Sequence, residues 1–432
     1  MKFGKWLVIF FAVTLLLCFS LSASATDSGA QMVSPALAIL AQQNTMAKAG
    51  VTGEDIDFAA NDFERALNVS SIDSITVTKL PDRSDGILYL GGSEVLAGQT
   101  VSRANIPYLT FVFMSEDITD SAFCFSTNHG AYELECALYR LEYENRVPVV
   151  SSVSDTVISV STYKDISVYG QLDAYDPDGD EMKFEIVSYP QNGLLTMTNI
   201  STGTYKYTPV DGFTGSDRFR YVAVDRYGNY SDAVWVNLTV SQPKSTLVYS
   251  DLKESTAHVA AISMTERGVM ASSELGGNYY FYPSAEVTRA EFLTMAMKTM
   301  GIQASGENQK TVFADDGDIP NDLRGYINTA QKLGYVCGKL NESGELVFCP
   351  NETITRYEAA VMLYNMSEVV ELPVIQPLFV DADTVPVWAK DAVYSMTVSG
   401  VLSIQKGYIS ANAGVTRAQA AEMLYKLDLL KD

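Results

Sequence analysis

Val287-Thr288-Arg289-Ala290-Glu291 returns as Ile354-Thr355-Arg356-Tyr357-Glu358 and again as Val415-Thr416-Arg417-Ala418-Gln419. A threonine followed three residues later by Glu or Gln, ahead of an apolar run, is a capping box. The hydroxyl accepts from an orphan amide, and the longer side chain reaches back to the cap amide. Thr288 with Glu291, Thr355 with Glu358 and Thr416 with Gln419 therefore each predict a helix start. Arginine falls in the first turn of every copy, where the helix dipole disfavours a cation. A conflict repeated three times points to a use for the guanidinium. It either holds an anion at the helix terminus or ties neighbouring repeats together through a carboxylate. Local physics supports both readings equally.

Working outward, the three copies share more than their caps. Phe281-Tyr282-Pro283, Phe348-Cys349-Pro350 and Tyr408-Ile409-Ser410 precede them. Asp251, Asp315 and Asp381 lie further upstream, after apolar stretches, and Gly268-Val269, Gly334-Tyr335 and Gly400-Val401 end intervening helical segments. The pattern is a two-helix repeat of about 55–65 residues. It resembles the surface-layer homology (SLH) repeat, here at 248–302, 309–369 and 375–432. The resemblance implies a mostly helical, pseudo-threefold unit whose grooves bind a secondary cell-wall polysaccharide, often through a pyruvylated N-acetylmannosamine end. It assigns the ketal carboxylate to Arg289, Arg356 and Arg417, with Trp388 and Gly338 lining the groove. Only the third repeat keeps the groove tryptophan; Thr256 and Asp322 stand at the matching positions, and Ser272 and Ile404 replace the second glycine.

Ahead of these repeats the period changes to two. Tyr205–Thr208 alternates, Phe219, Tyr221 and Ala223 share a face, and so do Val234, Val236, Leu238 and Val240. Half-buried strands between Gly, Asn and Pro turns predict antiparallel sandwiches. The region also repeats weakly: Ile75–Leu90 follows the order of Phe184–Met197, and Asp120, Phe123 and Phe125 match Asp217, Phe219 and Tyr221, with extra residues around Gly91–Asn105. Modules at 51–147 and 148–242 thus resemble bacterial cadherin-like or immunoglobulin-like surface domains, which implies a spacer or adhesive role. The expected fold class is multidomain: β-sandwich modules, then a mainly α-helical repeat unit. Asp176, Asp178 and Asp180 offer three carboxylates on one turn to a hard cation such as Ca2+. Asp176-Pro177-Asp178-Gly179 is equally a good type I turn without metal.

Residues 1–25 have the layout of a secretory signal: Lys2 and Lys5, an apolar run from Trp6 to Phe19, then Ala23-Ser24-Ala25. Residues 26–50 read as a helical segment, with Ser34 capping Ala36–Ala47. Export to the wall of a Gram-positive-type bacterium follows as an expectation, with no membrane span once the signal is removed. In that setting Cys124 with Cys136, and Cys337 with Cys349, each straddle a turn and are candidates for local disulfides. The 30 Lys and Arg against 52 Asp and Glu give a net charge of −22, which argues against nucleic acid as a partner. Two histidines leave little for Ser-His-Asp or His-metal chemistry. The sequence reads as a non-catalytic surface protein whose β modules face other surface proteins or host ligands. A wall-anchored glycoside hydrolase with its site in 26–242 is the alternative.

Overall fold

The computed structural model describes residues 45–127, 130–150, 158–245, 247–304, 310–367, 379–404 and 407–431. The signal sequence and the cap at Ser34 lie outside the described residues.

Alternating strands build two sandwiches on one plan. The first contains β1 (Thr45–Val51), β2 (Ile56–Asp57), α1 (Ala60–Ala66), β3 (Ser74–Lys79), β4 (Gly86–Leu90), β5 (Ser93–Glu94), β6 (Thr100–Ser102), β7 (Leu109–Phe113), β8 (Asp120–Thr127) and β9 (Gly130–Leu141). Its sheets run β1-β9-β8-β3-β6 and β2-β7-β4-β5. The second contains β10 (Ile158–Tyr163), β11 (Val168–Gln171), β12 (Met182–Ser188), β13 (Gly193–Asn199), β14 (Thr204–Pro209), β15 (Gly215–Asp225) and β16 (Val234–Ser241), in sheets β10-β16-β15-β12 and β11-β14-β13. Without β5 and β6 the two orders coincide. Those two strands, with the 3-10 turn Arg103–Tyr108, occupy the segment that the sequence shows as extra. Phe63, Phe111, Phe123 and Phe125 anchor the first core, whereas the second core continues into the helices behind it.

Three expectations need correction here. The sandwiches are not wholly antiparallel: β1 runs parallel to β9, and β10 parallel to β16. The first strand of each module crosses to the other sheet instead of turning back as a hairpin, so it meets the last strand in the same direction. The helix expected over Ala36–Ala47 is absent where it can be seen, since Thr45–Ala47 belong to β1. The ladder to β9 and the burial of Met46 outweigh local helix propensity.

The third correction concerns Cys124, Cys136, Cys337 and Cys349, which are all free thiols. Cys136 faces Phe123, and Cys124 faces Glu135. The pairing is one residue out of the symmetric register, and an odd slip puts the two sulfurs on opposite faces of the sheet. In the other pair, β19 (Lys339–Leu340) and β20 (Leu346–Val347) would continue toward Cys337 opposite Cys349. Gly338 and Cys349 instead take φ of 76° and 59°, which turns the chain out of the ladder.

Seven helices and two small hairpins are described overall. Beyond α1 these are α2 (His258–Glu266), α3 (Arg289–Thr299), α4 (Asn321–Lys332), α5 (Arg356–Met366), α6 (Lys390–Val398) and α7 (Arg417–Leu429), with the hairpin of β17 (Ser273–Leu275) and β18 (Asn278–Tyr280) beside β19 and β20. Gly268, Gly334 and Gly400 stop α2, α4 and α6 with φ of 69°, 78° and 74°, a conformation that costs glycine least. The second helix of each repeat packs on the first helix of the next: α3 on α4, α5 on α6, α7 on α2. A ring of three backbone hydrogen bonds closes the unit. Val287 N donates to Val415 O, Val415 N to Ile354 O, and Ile354 N to Val287 O, at 2.9, 2.9 and 3.0 Å.

Candidate functional site

All three capping boxes form. Thr288, Thr355 and Thr416 accept from Glu291 N, Glu358 N and Gln419 N, and each N3 side chain accepts from its cap amide. The arginine beside each cap then reaches into the following repeat. Arg289 Nε donates to Phe348 O at 3.0 Å, Arg356 Nε to Ile409 O at 2.8 Å, and Arg417 Nε to Phe281 O at 2.8 Å. The accepting carbonyls sit on bends held from behind by Asp315, Asp381 and Asp251. Each of these carboxylates takes two consecutive backbone amides, such as Phe348 N and Cys349 N. That grip keeps Tyr282, Cys349 and Ser410 at φ of 57°, 59° and 51°, which non-glycine residues seldom adopt. The guanidinium groups thus tie repeats together, mostly through carbonyls instead of the carboxylates considered from sequence.

The three arginines differ in what balances their charge. Arg289 is buried against Glu358, with Nη1 to Oε1 at 3.1 Å, and Lys339 Nζ reaches the same carboxylate at 2.8 Å. Burial alone would raise the Glu358 pKa; the charge of Arg289 and the Lys339 hydrogen bond overcome it and hold the group below the ordinary carboxylate value. By the repeat order, the residue that matches Glu358 is Gln419 for Arg356 and Glu291 for Arg417, and the Glu291 charge favours the Arg417 cation. Arg356 is only 3% exposed and has no ion pair among the described residues. Burial lowers its pKa, opposed by the more distant Glu422 and Asp381. Its Nη2 donates to Ser403 O at 2.5 Å. Arg417 is half-buried, lies over the Phe281 ring at 4.7 Å, and gives Nη2 to Ala271 O.

Tyr357, the residue after Arg356, forms an aromatic pair. Trp388 is 67% exposed and meets Tyr357 edge-on at 5.6 Å. Neither matching position offers an aromatic: Thr256 donates to Glu422 at 2.5 Å, and Asp322 lies in the first turn of α4. Gly338 has a packing reason to be glycine, because a Cβ there would lie 2.6 Å from the Phe313 ring and 2.8 Å from Val347 O.

In the second sandwich, Asp176, Asp178 and Asp180 bring one carboxylate oxygen each within 4.8 Å of the others. Asp176 Oδ1 accepts from Asp178 N and Asp180 N, while its Oδ2 is buried without a partner. Arg146 Nε and Nη2 both hold Asp178 Oδ1, at 2.8 and 2.6 Å, and Arg146 N donates to Asp178 Oδ2. The donor set has the charge that Ca2+ needs, but Arg146 already occupies its middle member.

Residues 145–239 match the family described as bacterial Ig domain. The chain carries a bacterial Ig-like module. Stretches of the chain also resemble parts of longer proteins. A 152-residue stretch is 32% identical to an endoglucanase of Bacillus sp. (strain KSM-635), covering 34% of this chain and 15% of that protein. A 189-residue stretch is 27% identical to the exoglucanase XynX of Acetivibrio thermocellus, covering 43% and 16%. Among solved structures, the fibronectin(III)-like modules of Clostridium thermocellum CbhA align at 13% identity over 46% of this chain and 93% of that chain, with a TM-score of 0.20. The chain therefore spans only a small share of the curated relatives it matches.

The Ig-like module begins where Arg146 meets Asp178, a contact that sequence reasoning did not foresee. It also missed Tyr357 as the partner of Trp388 and Glu358 as the counter-ion of Arg289. One signal was present throughout: Gln419 stands where the other two boxes have glutamate.

Proposed function

We propose that this chain is a non-catalytic extracellular surface protein, held without a covalent bond to an anionic wall polysaccharide by its three-repeat helical unit. The Ig-like modules are displayed as spacers or adhesive surfaces. The observation that carries this reading is Arg356: a buried guanidinium with no ion pair among the described residues, followed in the chain by Tyr357, whose ring meets the exposed Trp388 indole. An unpaired buried charge is costly, and a ligand carboxylate would relieve it. Trp388 and Tyr357 supply an apolar wall for a sugar ring. The groove between the second and third repeats is therefore the binding groove. Its two counterparts, one filled by the Arg289–Glu358–Lys339 cluster and one by the Thr256–Glu422 contact, are structural.

The test uses the full chain and purified sacculi of the native host, with and without their wall polymer. Co-sedimentation only with polymer-bearing sacculi, lost in Arg356→Gln and weakened in Trp388→Ala, is the expected result. Failure of the wild-type chain to sediment with polymer-bearing sacculi would sink the anchoring role. A second reading, an anchored glycoside hydrolase with its site in residues 26–242, draws on the names of the two glucanase relatives. It predicts release of reducing sugar from soluble glucans by the full chain.

A further inference from the structure

The outer face of the β10-β16-β15-β12 sheet holds a depression of about 630 Å3, separate from the helical unit and from the acidic turn. Its floor is the outward row of β15 and β16, where Arg218 faces Asn237 and Ser216 faces Thr239, and Trp235 also lines it. Arg220, half-buried, faces Trp235 at the end of that row, outside the lining itself. Gln191 and Asn192, from the turn after β12, form one wall. The Trp235 ring carries the Arg218 guanidinium at 4.2 Å and that of Arg220 at 5.5 Å.

Two arginines on one indole, in a chain of net charge −22, are a local reversal of sign. Neither forms an ion pair among the described residues, and Arg220 Nε is buried without a hydrogen-bond partner. The carboxylate in the depression, Asp217, is already saturated. It accepts from Gln191 N, Asn192 N, Arg218 N and the Tyr207 hydroxyl, at 2.8 to 3.0 Å. Stacking on the indole also restrains the Arg218 guanidinium, so less rotamer freedom is lost when it binds a planar anion.

We infer that this face is a binding site for a carboxylate-bearing glycan, with Arg218 and Arg220 taking uronate carboxylates and Asn192, Gln191, Asn237 and Ser216 taking hydroxyls. Charge complementarity selects the anion. The surrounding amides and hydroxyls select a sugar over a nucleic acid or an acidic peptide, which offer fewer hydroxyl partners. Arg fits planar carboxylates through paired donors, which a lysine cannot reproduce.

Isothermal titration of the full chain with tetragalacturonate tests the assignment. Binding is expected, cellotetraose should give none, and added salt should weaken the uronate. Arg218→Gln and Arg220→Gln should each cost about tenfold or more, as expected for loss of a charge-assisted contact. Arg218→Lys should recover part of the affinity, and Asn237→Ala, which leaves both arginines in place, should also weaken binding. The double Arg218→Gln/Arg220→Gln variant should still co-sediment with sacculi, separating this site from the wall groove. Absence of tetragalacturonate binding, equal binding by the double variant, or tighter binding of poly-glutamate or single-stranded DNA would overturn the proposal.

Discussion

Gln419→Glu is a one-atom exchange that should close the open groove. The helix cap survives, because Glu291 and Glu358 already do the same work in the other repeats. The new carboxylate would stand to Arg356 as Glu358 stands to Arg289, at 3.1 Å between side chains 5–6% exposed. A charge-assisted hydrogen bond to a buried cation contributes about 1.5–3 kcal/mol, so the helical unit should unfold at a higher temperature. A ligand carboxylate on the far side of the guanidinium would then lie about 5 Å from the new charge. At an effective dielectric constant near 20, that repulsion is about 3 kcal/mol, on the order of a hundredfold in affinity. Co-sedimentation with sacculi and thermal unfolding of the full chain measure both effects. The pairing is specific: stability rises while binding falls. Undiminished binding would show that Arg356 does not receive the polymer anion, and lower stability would show that Gln419 does not face Arg356.

Other consequences follow from the same charges. Glu358→Gln leaves the buried Arg289 without its counter-ion, while Lys339 keeps Glu352 at 3.0 Å, and should destabilise the helical unit by about 3–5 kcal/mol in denaturant titrations. Because the folded Glu358 has a depressed pKa, its contribution is complete above about 4.5 and is lost as acid takes the pH down through the lowered value. Glu185, by contrast, is pushed up to about 7 by burial, with Lys183 opposing. Its contribution is complete below 4.5 and is lost as pH rises toward 7, a fall of up to about 3 kcal/mol that Glu185→Gln should flatten in chemical unfolding. Calcium should raise the unfolding midpoint more in Arg146→Gln than in the parent chain, since the guanidinium must leave Asp178 before a cation can enter; equal shifts would place any bound calcium elsewhere.

Much of the architecture was legible because it is local. A capping box spans four residues, a strand alternates every second one, and a helix-ending glycine acts where it stands, so caps, modules and repeat lengths could be read along the chain. The interrupted first module was readable for the same reason, although its parallel first strand was not. That strand forms because β9 offers an edge some ninety residues away, a contact no local pattern encodes. The cysteines show the same limit: spacing suggested symmetry, and a one-residue slip in register cancelled it.

The three arginines divide along that line. Sequence determined that each would open a capped helix and that one box would hold glutamine instead of glutamate. Only tertiary structure decided what this meant, because Arg289 is balanced by Glu358 from the capping box of the next repeat, whereas Arg356 has no ion pair among the described residues. The backbone ring through Val287, Ile354 and Val415 sets that correspondence. By that correspondence the residue matched to Arg356 is Gln419, which brings no charge. Electrostatic pairing depends on distance through space, and the chain alone supplies only distance along itself.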